Sequence, residues 1–111
     1  VSKVETVNRE MLEKIAELFR VFSEPTRLAI LQALKPGPKN VNDLVIILGT
    51  TQANVSKQLR TLYDANILTR ERRGNQVFYS IDDDFIFPLC EMICDKLNRD
   101  TESRGKTDFT I

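Results

Sequence analysis

Thr51-Gln-Ala-Asn-Val-Ser-Lys-Gln-Leu-Arg60 sets short hydrogen-bonding side chains and two cations at helical spacing. On a helix from about Gln52 to Ala65, Val55, Leu59 and Leu62 fall at i, i+4 and i+7 and form one apolar stripe. The other side then carries Ala53, Lys57, Arg60 and Thr61, flanked by Asn54 and Ser56, with Thr51 placed to cap the free amide hydrogens at the start. A solvated face usually pairs Glu with Lys, yet no acid precedes Asp64 here. Small polar groups near a helix N-terminus reach base edges in a major groove, and neighbouring Lys and Arg hold phosphates. The competing reading is a polar surface helix with no partner.

The other chemically active pair is Cys90 and Cys94, one helical turn apart. Three readings stay open: two small residues filling an interface, thiols that respond to oxidation, persulfide formation or alkylation, and a soft-metal site of the As(III) type that borrows thiolates from a partner protomer. Diverging Cβ directions make an intrahelical disulfide awkward at this spacing. Glu91 and Asp95 disfavour the thiolate. Catalysis is the poorest use of this chain. It has no His, no phosphate-cradling glycine loop and no credible nucleophile–base pair, so no catalytic residue, metal site or cofactor is expected. Asp82-Asp83-Asp84 lacks the spaced oxygen ligands of a calcium loop and suits the start of a helix instead.

The elements around the polar helix give it a context. Ile67 to Arg72 and Gln76 to Ile81 read as strands joined across Arg73-Gly74-Asn75, because Gly and Asn both tolerate positive φ. Val77, Tyr79 and Ile81 alternate with Gln76, Phe78 and Ser80, the period of a half-buried strand. Arg70, Arg72 and Arg73 gather near the hairpin tip. A polar helix followed at once by a basic ribbon is a winged helix-turn-helix arrangement. The net charge of zero hides a segregated distribution. Residues 51–81 hold five cations against two acids, a local +3, whereas residues 82–100 hold six acids against two cations, a local −4. A local patch, not the total, sets a nucleic-acid contact.

Phe22-Ser-Glu-Pro-Thr-Arg-Leu-Ala-Ile-Leu31, Leu48-Gly-Thr-Thr-Gln-Ala-Asn-Val-Ser-Lys-Gln-Leu59 and the Arg72-Arg-Gly-Asn-Gln-Val-Phe-Tyr79 wing resemble the ArsR/SmtB family of bacterial repressors, in matching order over roughly residues 8 to 97. The resemblance implies a homodimer that binds double-stranded operator DNA and that a metal ion or a thiol-reactive signal releases. It also implies that Thr51, Gln52, Asn54, Ser56 and Lys57 meet base edges or nearby phosphates. Gln58 and Arg60 are further candidates, and Arg72, Arg73, Asn75 and Gln76 are expected to hold the flanking backbone. Gln58 stands where many members have His. Members that bind metal through the third helix have cysteines where this chain has Asn40 and Asn42, and members with Asp and His ligands on the last helix are excluded by the missing His.

The remaining chain supplies the scaffold. Residues 1–7 show no periodicity and read as a flexible arm. From about Asn8 to Phe22, Met11, Leu12, Ile15, Leu18, Phe19 and Phe22 make a broad apolar stripe that either closes the core or serves a dimer. Ser23 is placed as the cap of a second helix with Pro25 in its first turn and Leu28, Ile30 or Leu31, and Leu34 buried; Pro36-Gly37-Pro38 ends it. Arg27 suits a phosphate or a surface ion pair. Val41 to Leu48 is a third helix, and Gly49 turns the chain into the polar helix. A last helix from Phe85 or Phe87 to Leu97 or Asn98 lines up Ile86, Leu89, Cys90, Ile93, Cys94 and Leu97 for a two-fold interface with the first. Residues 100–111 read as a disordered tail.

The expected fold is mainly α with a small β-hairpin, a homodimeric winged helix-turn-helix in the order α-α-α-α-β-β-α, with its domain at 8–99. A chain of 111 residues fits one small domain that gains from a partner. It has no membrane-length apolar run and opens on no signal-peptide pattern, so a cytoplasmic location with reduced cysteines is expected. The expected role is transcriptional repression. The alternatives are a winged-helix module that binds another protein without DNA, or a repressor that answers an arsenite-type metal.

Overall fold

Leu44, Val55, Leu59 and Leu62 are buried together with Ile30, Leu31 and Ile86, and the turns between the elements that carry them follow from local chemistry. The computed structural model describes residues 2–102, 109 and 110, with side chains for 8–101, 109 and 110. Its elements are α1 (Ser2–Val21), α2 (Pro25–Leu34), β1 (Lys39–Asn40), α3 (Val41–Leu48), α4 (Gln52–Asp64), β2 (Leu68–Arg73), β3 (Gln76–Ile81) and α5 (Ile86–Glu102). Among the described residues no helix is long and apolar enough to cross a membrane.

Glu24, not Ser23, caps α2: its carboxylate accepts from the Arg27 amide at 2.9 Å, with Pro25 next in line. The Ser23 hydroxyl instead donates to the Arg20 carbonyl at 2.8 Å, closing the end of α1. Asn40 caps α3 in a reciprocal box with Asp43. Gly49 ends α3 at φ 68°, a left-handed position that glycine adopts without steric cost, and its amide donates to the Val45 carbonyl. Thr51 then caps α4, so only Gly49, Thr50 and Thr51 separate α3 from α4. At the far end of α4, Asn66 takes φ 64° and the Ile67 amide reaches back to the Leu62 carbonyl at 3.0 Å, stopping the helix.

The sheet has three antiparallel strands in the order β1-β3-β2, not the two of a bare hairpin. Lys39 and Asn40 pair with Tyr79 and Phe78, which makes β3 the central strand. That position explains why residues 77–81 are all half-buried instead of alternating. In the hairpin Arg73 pairs with Gln76, and only Gly74 of the two loop residues has positive φ, 65°, the pattern of a type II′ turn. The helical backbone of α1 begins at Ser2, within the stretch that periodicity assigns to a flexible arm, and α5 continues to Glu102, past the expected end of the domain. Of the expected tail, residues 103–108 and 111 lie outside the described residues. Phe109 exchanges two hydrogen bonds with the Asn98 side chain, at 2.7 and 3.1 Å. The Asp83 carboxylate accepts from the Phe85 amide at 3.1 Å in the turn that leads into α5.

Candidate nucleic-acid interface

Helix α4 turns Val55, Leu59 and Leu62 fully into the core. The opposite face leaves Gln52, Ala53, Ser56, Lys57 and Arg60 exposed and Asn54 and Thr61 half-exposed, as 3.6-residue spacing requires. Thr51 accepts from the Asn54 amide through its hydroxyl oxygen, which leaves the hydroxyl hydrogen available to a phosphate. Arg60 pairs with Asp64 one turn on, Nε to Oδ2 at 3.1 Å, with both side chains exposed. Such an exposed i,i+4 pair is weak and leaves Arg60 free to leave the carboxylate.

Gln58 is the exception on this helix. At 6% exposure it is the one buried polar side chain among the described residues, and its amide is held by Arg27 and Asn54. Gln58, a further candidate for DNA contact, is thus buried in the structure: position 58 falls between the core stripe and the polar face, one residue from Leu59 and four from Leu62. The Arg27 guanidinium, in turn, makes no ion pair with a carboxylate among the described residues. It bonds the Val21 and Arg20 carbonyls and Gln58. No signal in a single sequence links residues 27 and 58, because their spacing follows from how α2 packs on α4.

The wing lies beside this face. The guanidinium of Arg70 sits over the Tyr63 ring at 4.0 Å, tying β2 to α4. Arg73 lies over Phe78 at 4.8 Å and pairs with Glu71 at 3.2 Å, while Arg72 reaches the Gly74 carbonyl at the tip at 3.5 Å. Arg72, Arg73, Asn75 and Gln76 are all exposed. A concavity of about 310 Å³ brings Gln52 of α4 together with Asn75 and Gln76 of the wing, walled by Asn40, Val41, Asn42 and Tyr79. Asn40 bonds Gln76 across it at 3.3 Å.

On the other side of the molecule, Met11, Leu12, Ile15, Leu18 and Phe19 of α1 are exposed, as are Met92, Ile93 and Leu97 of α5. Cys90 is 8% exposed and Cys94 half-buried, and both are free thiols on an apolar groove of about 440 Å³ that includes Phe19, Phe22, Leu28 and Ile93. Burial pushes the Cys90 thiol above the usual cysteine range, and the neighbouring Cys94 adds to the shift. Among the described residues no group of three His, Cys, Asp or Glu side chains is arranged to hold a metal ion.

Residues 24–70, from the cap of α2 into β2, match the family model described as "Bacterial regulatory protein, arsR family". The chain is 33% identical over 87 residues to the arsenical resistance operon repressor of Bacillus subtilis, covering 77% of this chain and 83% of that protein. It is 37% identical over 75 residues to the HTH-type transcriptional repressor SmtB of Mycobacterium tuberculosis, 68% of this chain; the chain spans 56% of that repressor's length. The crystal structure of the antimony-specific transcriptional repressor AntR superposes with a TM-score of 0.72 at 30% identity, covering 85% of this chain and 86% of that one.

Proposed function

The chain belongs to the arsR family of bacterial regulatory proteins, and from that premise we propose that it is a DNA-binding transcriptional repressor that acts as a homodimer on double-stranded operator DNA in the cytoplasm. The observation that carries the reading is the exposed polar face of α4, whose first residue Gln52 shares a concavity with Asn75 and Gln76 of the basic wing. Thr51, Gln52, Asn54, Ser56 and Lys57 meet base edges or adjacent phosphates, Arg60 a phosphate, and Arg72, Arg73, Asn75 and Gln76 the flanking backbone. The exposed apolar faces of α1 and α5 supply the two-fold interface. Pairing across it sets two α4 helices about one turn of DNA apart, roughly 34 Å. Selecting genomic fragments on the immobilised protein and titrating the enriched duplex by fluorescence anisotropy tests this. Micromolar or tighter binding that weakens steeply with salt is expected; no enrichment above a scrambled pool counts against it.

For the signal, we propose that a thiol-directed reagent enters at Cys94, with Cys90 following. Cys94 is half-buried on the interfacial groove, whereas Cys90 is buried with its thiol held protonated. The names of the arsenical and antimony relatives favour a second reading, a soft metalloid bound by thiolates from both protomers. Operator release by a persulfide donor, a peroxide or arsenite, compared in wild type and in Cys90→Ser/Cys94→Ser, separates them. Equal release in the double variant by every inducer removes both.

A further inference from the structure

Arg27 stands at the head of a one-way row of hydrogen bonds that passes through α4 and ends at half-buried Thr50 in the turn before it. Its Nε donates to the Val21 carbonyl at 2.7 Å and its Nη2 to the Arg20 carbonyl at 3.3 Å, at the negative end of the α1 dipole. Its Nη1 donates to Oε1 of Gln58 at 2.7 Å. Gln58 Nε2 donates to Oδ1 of Asn54 at 3.0 Å, and Asn54 Nδ2 donates to Oγ1 of Thr50 at 3.2 Å.

A guanidinium has donors and no acceptor. Gln58 must therefore turn its carbonyl toward Arg27, which leaves its nitrogen for Asn54. Asn54 must then offer its oxygen to Gln58 and its nitrogen to Thr50. Each amide orientation in the row follows from one side chain that cannot accept. Gln58 is too buried for water to take over either role. Leaving either end of a buried amide unpaired is costly, which makes the reversed arrangement unfavourable.

We propose that Arg27 is a positioning residue for base specificity: through Gln58 it fixes which end of the Asn54 amide donates and which accepts, and so which base edge Asn54 reads. The inference rests on the DNA-binding reading of α4. Asn54 is half-exposed, and the N–H and lone pair it has left are those a base meets. Their order along the helix is set by the row. The major groove presents donors and acceptors in a different order for each base pair, so exchanging the two ends of the amide exchanges the preferred base. Arg27 does this without touching DNA.

Three variants test the row. Gln58→Glu keeps an acceptor for Arg27 but removes the donor to Asn54, so the Asn54 amide must turn its nitrogen toward position 58. Arg27→Gln can accept as well as donate, which leaves both orientations open. Arg27→Lys is again donor-only and should rescue. Wild type and the three variants are each selected against a randomised duplex pool, and the bound fraction is sequenced. Q58E is expected to change the favoured base at one position of each half-site by roughly tenfold, the size of a good base contact. R27Q should flatten that same position, and R27K should keep it. A purely structural role would weaken all positions together. Identical base preferences in wild type, Q58E and R27Q overturn the inference, while failure of the wild type to enrich any sequence sinks the DNA-binding reading beneath it. If Q58E or R27Q does not fold, NMR of the wild type decides. Arg27 Nε–H and the Gln58 side-chain amide protons should exchange slowly, and exchange as fast as in an exposed side chain refutes the row.

Discussion

The guanidinium of Arg70 rests 4.0 Å above the centre of the Tyr63 ring, so the wing is docked on the last turn of α4 by a cation–π contact between neighbouring elements. At a partly exposed site such a contact contributes about 0.5–1 kcal/mol. Tyr63→Leu should therefore weaken operator binding about two- to fivefold, by freeing the wing, while leaving base preferences unchanged. Anisotropy titration together with sequence selection checks this. A shift in base preference would show that Tyr63 positions the reading face instead.

Lys57 is exposed in the middle of the polar face, and Arg60 is shared with Asp64. On duplex DNA, removing one cation that neutralises a phosphate lowers the slope of log K against log salt by about 0.9. Lys57→Ala should flatten the slope by about that amount per protomer and Arg60→Ala by less. Equal slopes for wild type and Lys57→Ala in a salt series would show that Lys57 does not neutralise a phosphate.

Leu12 and Phe19 are 57% and 56% exposed on α1, an unusual position for residues worth about 1.5–3 kcal/mol each when buried. In a two-fold dimer each substitution counts twice. Leu12→Glu should raise the dimer dissociation constant by about two to four decades. Sedimentation velocity across a dilution series measures it. An unchanged sedimentation coefficient in Leu12→Glu would place the dimer interface elsewhere.

Burial and the nearby Cys94 raise the Cys90 thiol above the ordinary cysteine range. At any pH below that range Cys90 holds its proton more firmly than a free thiol, so alkylation by iodoacetamide should lag behind Cys94 and catch up only in alkaline solution. The same shift makes the unfolded chain lose its proton first as pH rises. The stability contribution is therefore present below the ordinary thiol range and declines as pH climbs through and above it. Mass spectrometry of the two labelled peptides over a pH series reads the order directly, and faster labelling of Cys90 at neutral pH would contradict it.

The parts of this fold legible in the sequence are those fixed by local periodicity and capping. The α4 stripe of Val55, Leu59 and Leu62, its Thr51 cap, the Gly49 turn and the strand Gln76–Ile81 all fall where spacing puts them. What spacing does not supply is tertiary. Two residues of β1 find their partner in β3, and nothing in Lys39-Asn40 by itself announces a strand. Glu24 displaces Ser23 as the cap because Ser23 is engaged one step earlier, on the Arg20 carbonyl. Gln58 is polar and lies between Lys57 and the core residue Leu59, so spacing alone does not bury it; only the packing of α2 against α4 brings Arg27 to it.

In the proposed complex the exposed face of α4 lies against DNA. A photo-crosslinking benzophenone amino acid placed at Ser56, with the same amino acid at Asp95 on α5 as the comparison, tests it most directly. Irradiated with the enriched duplex, the Ser56 protein should join covalently to the DNA in high yield and the Asp95 protein hardly at all. Cross-links from position 95 with none from position 56 would place the DNA on α5 and away from α4.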